Sequence, residues 1–345
     1  MVRPEPNERL RGAGRARDAP PVGQGGPDAS EIPARRPTDG GRYCPIVSDR
    51  SPAGTPHPSY VPFTSNAYVA EPETEVEEST AAWLEEQAEM PFIREVAKRT
   101  FELMEIQAGD AVLDVGCGTG VLLPALAEAV GPAGRVTGLD HSTAFLARAQ
   151  RRLAEAGLGQ RVDLVRADAM ALPFEAGAFD VAHMERVLMH LADPDAAIRE
   201  LVRVTRPGGR VVCAEVYAHG VAVENPDRAA MDLLIQSAVG QIRNPAMGIE
   251  LRRRLIEAGL ERVHAVAVAF VETVMDESET EELRRKAVEL ADRGELDLER
   301  ARSAIDYVVA TNAAGTYTGL TMMFVAAGVV PGGASEAVPD GAASA

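Results

Sequence analysis

The stretch AVLDVGCGTG (residues 111–120) decides the fold class. It begins as a short apolar run, typical of a strand buried on both faces, and ends in glycines at alternate positions, Gly116, Gly118 and Gly120. Glycine accepts a positive φ and lets another group approach the backbone closely. A tight strand-to-helix turn alone would explain these glycines, but in an open parallel sheet such a turn is also where ligands bind. The stretch therefore predicts a first strand that leads into a ligand-binding turn.

Strands and amphipathic helices alternate around this stretch. The alternation predicts an α/β fold with a doubly wound, mostly parallel sheet. The expected strands are RVTGLD (135–140), RVDLVRAD (161–168), FDVAHM (179–184) and GRVVCAEV (209–216). The expected helices are PFIREVAKRTFELM (91–104), VLLPALAEAVG (121–131), STAFLARAQRRLAEAGL (142–158) and PDAAIRELVRVT (194–205).

The C-terminal third breaks this alternation. A long alternating strand is expected over 262–274, and a last strand, YTGLTMMFVAAGVV, over 317–330. Between them lie two charged helical stretches, which together form an insertion over about 277–312. We expect the last strand to be antiparallel and the helical insertion to cap the ligand cleft.

Both ends of the chain are predicted to be disordered tails. Residues 1–66 are rich in Pro, Gly and Arg and show no apolar periodicity. They are either a flexible tail or an extension caused by an upstream start codon. Residues 331–345 are small and polar, so the folded domain is expected to span 67–330. Within it, 67–87 is a candidate cover for its own active site or for that of a neighbouring copy.

Composition excludes several classes of protein. The chain has 345 residues and a formal net charge of −17; a nucleic-acid partner is not expected, because phosphate binding needs clustered lysine and arginine. No apolar run approaches the roughly 18 residues of a membrane span. Cys44, Cys117 and Cys213 are far apart and lack metal-ligand spacing. This pattern favours a reducing, cytoplasmic location and predicts no metal.

Three acidic residues follow three consecutive strands. Asp114 precedes the glycines, which are spaced G-x-G-x-G rather than the G-x-G-x-x-G of dinucleotide enzymes. A carboxylate there would repel a pyrophosphate but suits an ammonium group. Asp140 is placed to accept hydrogen bonds from ribose hydroxyls, and Asp168, followed by Ala169, from an adenine amino group. Each acid alone could be a helix cap or a solvated loop residue, but together they describe a cationic nucleoside.

These motifs resemble the class I S-adenosylmethionine-dependent methyltransferases. The likeness extends over roughly 67–330 and is greatest to the small-molecule branch, which includes quinone-ring and natural-product methyltransferases. It implies a Rossmann-like sheet of seven strands with the last strand antiparallel beside the fifth, and S-adenosylmethionine as the cofactor. The motifs are VLDVGCGTG (112–120), GLDHS (138–142), ADAMALPF (167–174), FDVAHMERVLMHL (179–191) and RVTRPGGRVV (203–212).

The resemblance also implies a set of cofactor contacts. The implied contacts are Asp114, Gly116, Gly118, Asp140, Asp168, Ala169 and the region of Glu185. We further expect Cys117 and Gly120 to contact the cofactor through the backbone of the glycine turn, and His141 to pack over the adenine. Cys117 is interpreted as a small filling residue, not as a nucleophile. Two features of other branches are missing, the Asn/Asp-Pro-Pro-Tyr turn and the carboxylate set of catechol-type metal enzymes. The resemblance therefore indicates a metal-free enzyme that acts on small molecules.

Methyl transfer from a sulfonium is an in-line displacement, so the enzyme must position the acceptor, exclude water and remove a proton where needed. His190 is the candidate general base, since histidine titrates near neutral pH; it could equally be a structural histidine that holds its loop. Glu215 is the second candidate and would orient a substrate hydroxyl, unless it is only a solvated strand end. Tyr217 is expected to line the pocket.

The sequence thus predicts methyl transfer to an oxygen or an activated carbon of a phenolic, quinone or natural-product scaffold. The expected partner is a small-molecule substrate, without nucleic acid or membrane, and a homo-oligomer is possible. Three alternatives stay open. They are a nicotinamide-dependent oxidoreductase, an S-adenosylmethionine-binding enzyme that performs cyclisation or decarboxylation without methyl loss, and a binding module with an inert site.

Overall fold

The sheet that the glycine-rich stretch predicts is present in the computed structural model, which describes residues 46–48 and 75–332. Within these residues nine strands form one sheet. The strands are β1 (Ile46–Ser48), β2 (Ala111–Val115), β3 (Arg135–Asp140), β4 (Val162–Arg166), β5 (Phe179–Glu185), β6 (Thr205–Val216), β7 (Ala222–Val223), β8 (Glu261–Glu272) and β9 (Gly319–Val329).

The helices that connect and cover these strands are close to the predicted ones. They are α1 (Glu75–Ala88), α2 (Pro91–Met104), α3 (Leu123–Ala129), α4 (Thr143–Glu155), α5 (Pro194–Val204), α6 (Arg228–Val239), α7 (Met247–Glu257), α8 (Glu277–Asp292) and α9 (Leu298–Ala313). Short 3₁₀ turns occur at Leu188–His190 and Ala218–Gly220. Among the described residues, no helix is long and apolar enough to cross a bilayer.

The strand order is β1-β8-β9-β6-β5-β2-β3-β4, with β7 paired to β9. Strand β9 runs antiparallel to both β6 and β8, whereas the pairs among β2 to β6 are parallel. Strand β9 thus lies antiparallel beside β6, which is the fifth of the seven predicted strands. This confirms the predicted Rossmann-like arrangement. Two short strands, β1 and β7, extend it.

Strand β1 lies inside the segment for which disorder is expected. Ile46 to Ser48 pair in parallel with Ala269 to Val271 of β8, which gives the outer edge of β8 a partner. The other residues of 1–66, together with 67–74 and 333–345, lie outside the described residues, so the prediction for the tails stays a prediction.

The centre of the sheet is buried on both faces. All five residues of β2 are buried, as a parallel strand covered on both faces requires. Burying a side chain such as Leu113 contributes about 1.5–3 kcal/mol. Asp114 is the one charged residue of this strand, and it lies at the carboxyl end, where the chain leaves the core.

Polar caps fix the helices that leave the carboxyl edge of the sheet. The hydroxyl of Ser142 accepts a hydrogen bond from the Phe145 N–H at 3.2 Å, which starts α4. Asp193 accepts from the Ala196 N–H at 2.8 Å and starts α5, with Pro194 in the first turn. Such a cap contributes about 1 kcal/mol to stability. The caps therefore hold the loops that border the ligand site.

Candidate active site

A cavity of about 910 Å³ lies at the carboxyl ends of β2, β3, β4 and β5. Ten of the twelve predicted site residues line it; the exceptions are Gly120 and Glu215. The fold thus brings residues predicted from four separate strand ends into one cavity. The ten residues are Asp114, Gly116, Cys117, Gly118, Asp140, His141, Asp168, Ala169, Glu185 and His190.

The three glycines of the glycine turn (residues 116–120) all have positive φ, but each is needed for a different reason. A Cβ on Gly116 would lie 2.2 Å from a methyl carbon of Val187, and one on Gly120 would lie 2.8 Å from the Cβ of Ala149 in α4. A Cβ on Gly118 would meet nothing within 4 Å. Gly118 therefore opens the cavity, whereas Gly120 allows α4 to pack. This corrects the prediction that Gly120 contacts the ligand.

Asp140 braces the glycine turn. Its Oδ2 accepts a hydrogen bond from the Gly118 N–H at 2.9 Å, and its Oδ1 accepts from the Ser142 N–H at the same distance. His141 lies at the rim of the cavity with its side chain 67% exposed and its Nδ1 3.4 Å from Asp140 Oδ1. Asp140 thus fixes the shape of the turn as well as facing the cavity.

A buried Asp–His pair, which the sequence analysis missed, lies beneath this turn. His183 Nδ1 is 2.7 Å from Asp114 Oδ1, and neither side chain is more than 5% exposed. Burial alone would lower the pKa of His183, but the hydrogen bond and charge of Asp114, with the charge of Glu185, raise it. The only sequence signal was a histidine within the apolar run of β5. Its partner could be known only from the β2–β5 register, which places Asp114 opposite His183.

Two further acids face the cavity. Asp168 is exposed, and its Oδ1 accepts a hydrogen bond from the Met170 N–H at 2.8 Å. Glu185 Oε2 is buried and has no hydrogen-bond partner among the described residues. A buried carboxylate oxygen without a donor is costly, so a donor group on a ligand would satisfy it. This part of the cavity fits a cationic ligand rich in hydrogen-bond donors.

Cys117 lies inside the glycine turn. Burial raises the pKa of its thiol, and the charges of Asp114 and Asp140 raise it further, so the thiol stays protonated. This fits the interpretation of Cys117 as a small filling residue rather than a nucleophile. Across 46–48 and 75–332 there is no group of three or more His, Cys, Asp or Glu side chains suited to a metal ion.

Glu215 does not line the cavity, which corrects its prediction as a substrate-orienting residue. It is fully buried at the end of β6, and its Oε1 accepts hydrogen bonds from the Val187 and Leu188 N–H groups at 2.9 and 2.6 Å. Burial raises the pKa of Glu215 to about 8, against the effect of these N–H donors. The side chain therefore supports the His190 turn (residues 187–191) from below.

Asn244 holds the same turn from the side. Its Nδ2 donates to the carbonyl oxygens of Leu188 and Leu191 at 2.9 and 2.8 Å, and its backbone N–H donates to the Met189 carbonyl at 3.0 Å. His190, between these residues, faces the cavity from a turn that is fixed on two sides. Sequence reasoning did not find Asn244, because it lies more than fifty residues from its partners.

His190 is neutral at physiological pH. Burial lowers the pKa of His190 to about 4, and the positive charge of Arg186 contributes in the same direction. A neutral imidazole can accept a hydrogen bond or a proton, but with this pKa it is a weak base. Tyr217 does not line the cavity; its ring packs edge-on against Phe324, with centroids 6.2 Å apart. This corrects the prediction that Tyr217 lines the pocket.

The cover of the cavity comes from the N-terminal helices. Leu84 and Ala88 of α1 and Ile93 and Ala97 of α2 line it, so part of the 67–87 segment covers its own site. Helices α8 and α9 form where the insertion was predicted, but they pack against each other and against α6 and contribute no lining residue. The prediction that the insertion caps the cleft is therefore wrong for this cavity, because β9 is separated from β2 by two strands and β8 by three.

Comparison with known proteins agrees with this geometry. Residues 112–209 match the family described as a methyltransferase domain. The match runs from β2 into β6 and so contains the glycine turn, Asp140, Asp168 and the His190 turn. Together with the fold, it identifies a class I S-adenosylmethionine-dependent methyltransferase domain. The cofactor of this class is S-adenosylmethionine.

Individual relatives are similar over part of the chain. The protein is 34% identical to an uncharacterized 37.1 kDa protein in a transposon of Streptomyces fradiae, over 52% of this chain and 51% of that one. It is 44% identical to a demethylmenaquinone methyltransferase of Anoxybacillus flavithermus, over 36% of this chain and 53% of the relative. A solved S-adenosylmethionine-dependent methyltransferase from Aquifex aeolicus is 17% identical, with a TM-score of 0.42 and coverage of 71% and 97%. The chain spans about half the length of the curated relatives it matches.

Proposed function

We propose that this protein transfers the methyl group of S-adenosylmethionine to an oxygen or an activated carbon of a small organic molecule with a phenolic, quinone or natural-product scaffold. The observation that carries the proposal is that the glycine turn and the His190 turn line one cavity. At about 910 Å³ it is near the upper end of the range for small-molecule sites, which leaves room for an acceptor beside the cofactor. The similarity to a demethylmenaquinone methyltransferase supports a quinone-like acceptor.

In this proposal the acidic side of the cavity holds the cofactor. Asp140 would accept hydrogen bonds from the ribose hydroxyls, and Asp168 with Ala169 would contact the adenine. Asp114 and Glu185 would face the positively charged methionyl part, where Glu185 Oε2 lacks a partner among the described residues. The bound cofactor supplies a methyl carbon activated by its sulfonium. Gly118 contributes open space rather than a side chain.

The other side of the cavity would hold the acceptor. The imidazole of His190 lies on this side and would accept a hydrogen bond or a proton from the acceptor. Apolar side chains from the cover, among them Leu84 and Ile93, would keep water away from the methyl group. Glu215 and Asn244 act through the His190 turn and are positioning residues, because neither lines the cavity.

The test is incubation of the protein with S-adenosylmethionine and a panel of quinones and phenols. We expect one S-adenosylhomocysteine for each methylated product, measured together by mass spectrometry. A product without S-adenosylhomocysteine would indicate cyclisation or decarboxylation instead. An oxidised or reduced product that requires NAD would support the oxidoreductase. Failure of the protein to bind S-adenosylhomocysteine would overturn the proposal.

A further inference from the structure

Four acidic residues and four arginines line the cavity. The four acidic residues among the lining residues come from the ends of β2 to β5: Asp114, Asp140, Asp168 and Glu185. The four lining arginines differ in their partners. Arg94 forms an ion pair with Glu89, and Arg166 donates to the His141 carbonyl at 3.0 Å. Arg186 forms an ion pair with Glu185, with its Nε 3.4 Å from Glu185 Oε1. Arg186 and Arg243 are the two lining arginines that flank the His190 turn.

Arg243 is the lining arginine that is available to a ligand. It is exposed, and it forms no hydrogen bond or ion pair with any residue in the described part of the chain. Its backbone is nevertheless well placed, because the next residue, Asn244, is bonded to three carbonyl groups of the His190 turn. The Arg243 side chain thus lines the same cavity as His190 and has no anionic partner among the described residues.

Arg186 approaches the same place from the end of β5. Its φ is 55°, a left-handed conformation that is strained for a non-glycine residue. Its backbone N–H donates to the Ala214 carbonyl at 2.9 Å, which holds this conformation. Strain of this kind is concentrated at functional sites. Arg186 and His190 both line the cavity, and the positive charge of Arg186 helps to lower the pKa of His190.

We propose that the methyl acceptor binds as an anion, through an ionised oxygen that Arg243 and Arg186 hold beside His190. The ionised oxygen belongs either to a carboxylate or to an acidic enol or phenol. Guanidinium groups bind such oxygens through charge-assisted hydrogen bonds. This inference rests on the proposed methyl transfer, because it assigns the acceptor of that reaction.

An acceptor that binds as an anion also needs no strong base in the active site. A histidine with a pKa of about 4 is a poor base for an ordinary phenol, whose pKa is about 10. If the acceptor oxygen arrives ionised, its electron pair forms the new O–C bond while the C–S bond breaks and that bond's electron pair stays on sulfur. The products are the methyl ether or ester and neutral S-adenosylhomocysteine thioether, and no proton has to be removed in this step. His190 then needs only to orient the acceptor.

Binding of matched probes to the protein loaded with S-adenosylhomocysteine tests the inference. One pair is 2-hydroxy-1,4-naphthoquinone, which carries an acidic hydroxyl, and its uncharged 2-methoxy analogue. The other pair is 2-naphthoate and uncharged 2-naphthamide. We expect an ionised member to bind about tenfold more tightly than its neutral analogue in calorimetry. The pair that shows this preference tells whether an acidic hydroxyl or a carboxylate is recognised.

Two arginine variants complete the test. R243Q should abolish the preference for the ionised probe and leave the affinity for S-adenosylhomocysteine unchanged. R252Q is the matched control, since Arg252 is exposed on α7 and does not line the cavity; it should keep the preference.

Several results would overturn the inference. They are equal binding of the ionised and neutral probes, no binding of any ionised probe at millimolar concentration, and an unchanged preference in R243Q. A tenfold loss of S-adenosylhomocysteine affinity in R243Q would assign Arg243 to the cofactor carboxylate and would also contradict it. The failure of the proposed function itself looks different, because the unmodified protein would then not bind S-adenosylhomocysteine before any probe is added.

Discussion

The two sides of the cavity are built in different ways. The cofactor side consists of strand ends, a glycine turn and carboxylates, and each feature lies within a few residues of the strand that positions it. The acceptor side consists of a short turn that carries His190 and is held by Glu215 and Asn244 from distant parts of the chain. The first side is acidic and the second is flanked by arginines. The cofactor site is therefore encoded locally, whereas the acceptor site depends on tertiary contacts.

The largest expected effect is on the cofactor side, for G118V. The new side chain would occupy the space into which Gly118 opens and would be strained at a φ of 55°. We expect the affinity for S-adenosylhomocysteine to fall by about 100-fold or more in calorimetry. G131V is the matched control, because Gly131 has a φ of 67° and open space but does not line the cavity. Equal effects of the two variants would mean that backbone strain, not the cavity, explains the loss.

On the acceptor side, H190A should lower turnover without changing the affinity for the cofactor. Loss of the group that orients the acceptor is expected to cost on the order of 100-fold in rate. The measurement is the turnover number with the first acceptor found, alongside a calorimetric titration with S-adenosylhomocysteine. H219A, at an exposed histidine outside the cavity lining, is the control. Full activity in H190A would leave His190 a structural residue.

D140A should weaken cofactor binding by roughly 1–3 kcal/mol, the cost of losing hydrogen bonds to a charged acceptor. Part of this loss would come from the glycine turn, since Asp140 also accepts from the Gly118 N–H. Affinity is measured by calorimetry and the unfolding midpoint by urea titration, so that the two contributions are separated. D163A, at an exposed position of β4 outside the cavity lining, should change neither. Unchanged affinity in D140A would refute the ribose assignment.

The smallest expected effect concerns the support of the His190 turn and depends on pH. Folding raises the pKa of Glu215 from 4.5 to about 8, so the folded state binds this proton more tightly than the unfolded state. The corresponding stability is complete below about pH 4.5 and is lost as the pH rises toward 8. E215Q does not titrate. Its unfolding free energy, relative to that of the unmodified protein, should therefore rise by about 1 kcal/mol or more between pH 5 and pH 8.

Urea unfolding at the two pH values measures this change. E128Q, at an exposed position of α3, is the control and should show no such rise. A difference between E215Q and the unmodified protein that is independent of pH would mean that Glu215 is ionised in the folded state at both pH values.

The same contrast explains what could be predicted from the sequence. The strand order around β2 and most cofactor-side residues follow from local signals, namely apolar runs, glycine spacing and acids at strand ends. His183, Asn244 and Arg243 could not be found in this way, because their importance comes from register and from contacts across many residues. The prediction failed for Glu215, Tyr217 and the insertion cap for one shared reason. Glu215 packs beneath the His190 turn, Tyr217 packs against Phe324, and the insertion packs against α6, so none of them reaches the cavity.

We expect the cavity at the carboxyl ends of β2 to β5 to bind S-adenosylmethionine and no dinucleotide. The most direct test is parallel calorimetric titration of the protein with S-adenosylmethionine, S-adenosylhomocysteine and NAD. The first two should bind with dissociation constants on the order of micromolar, and NAD should not bind. Binding of NAD alone, or of none of the three, would contradict this expectation.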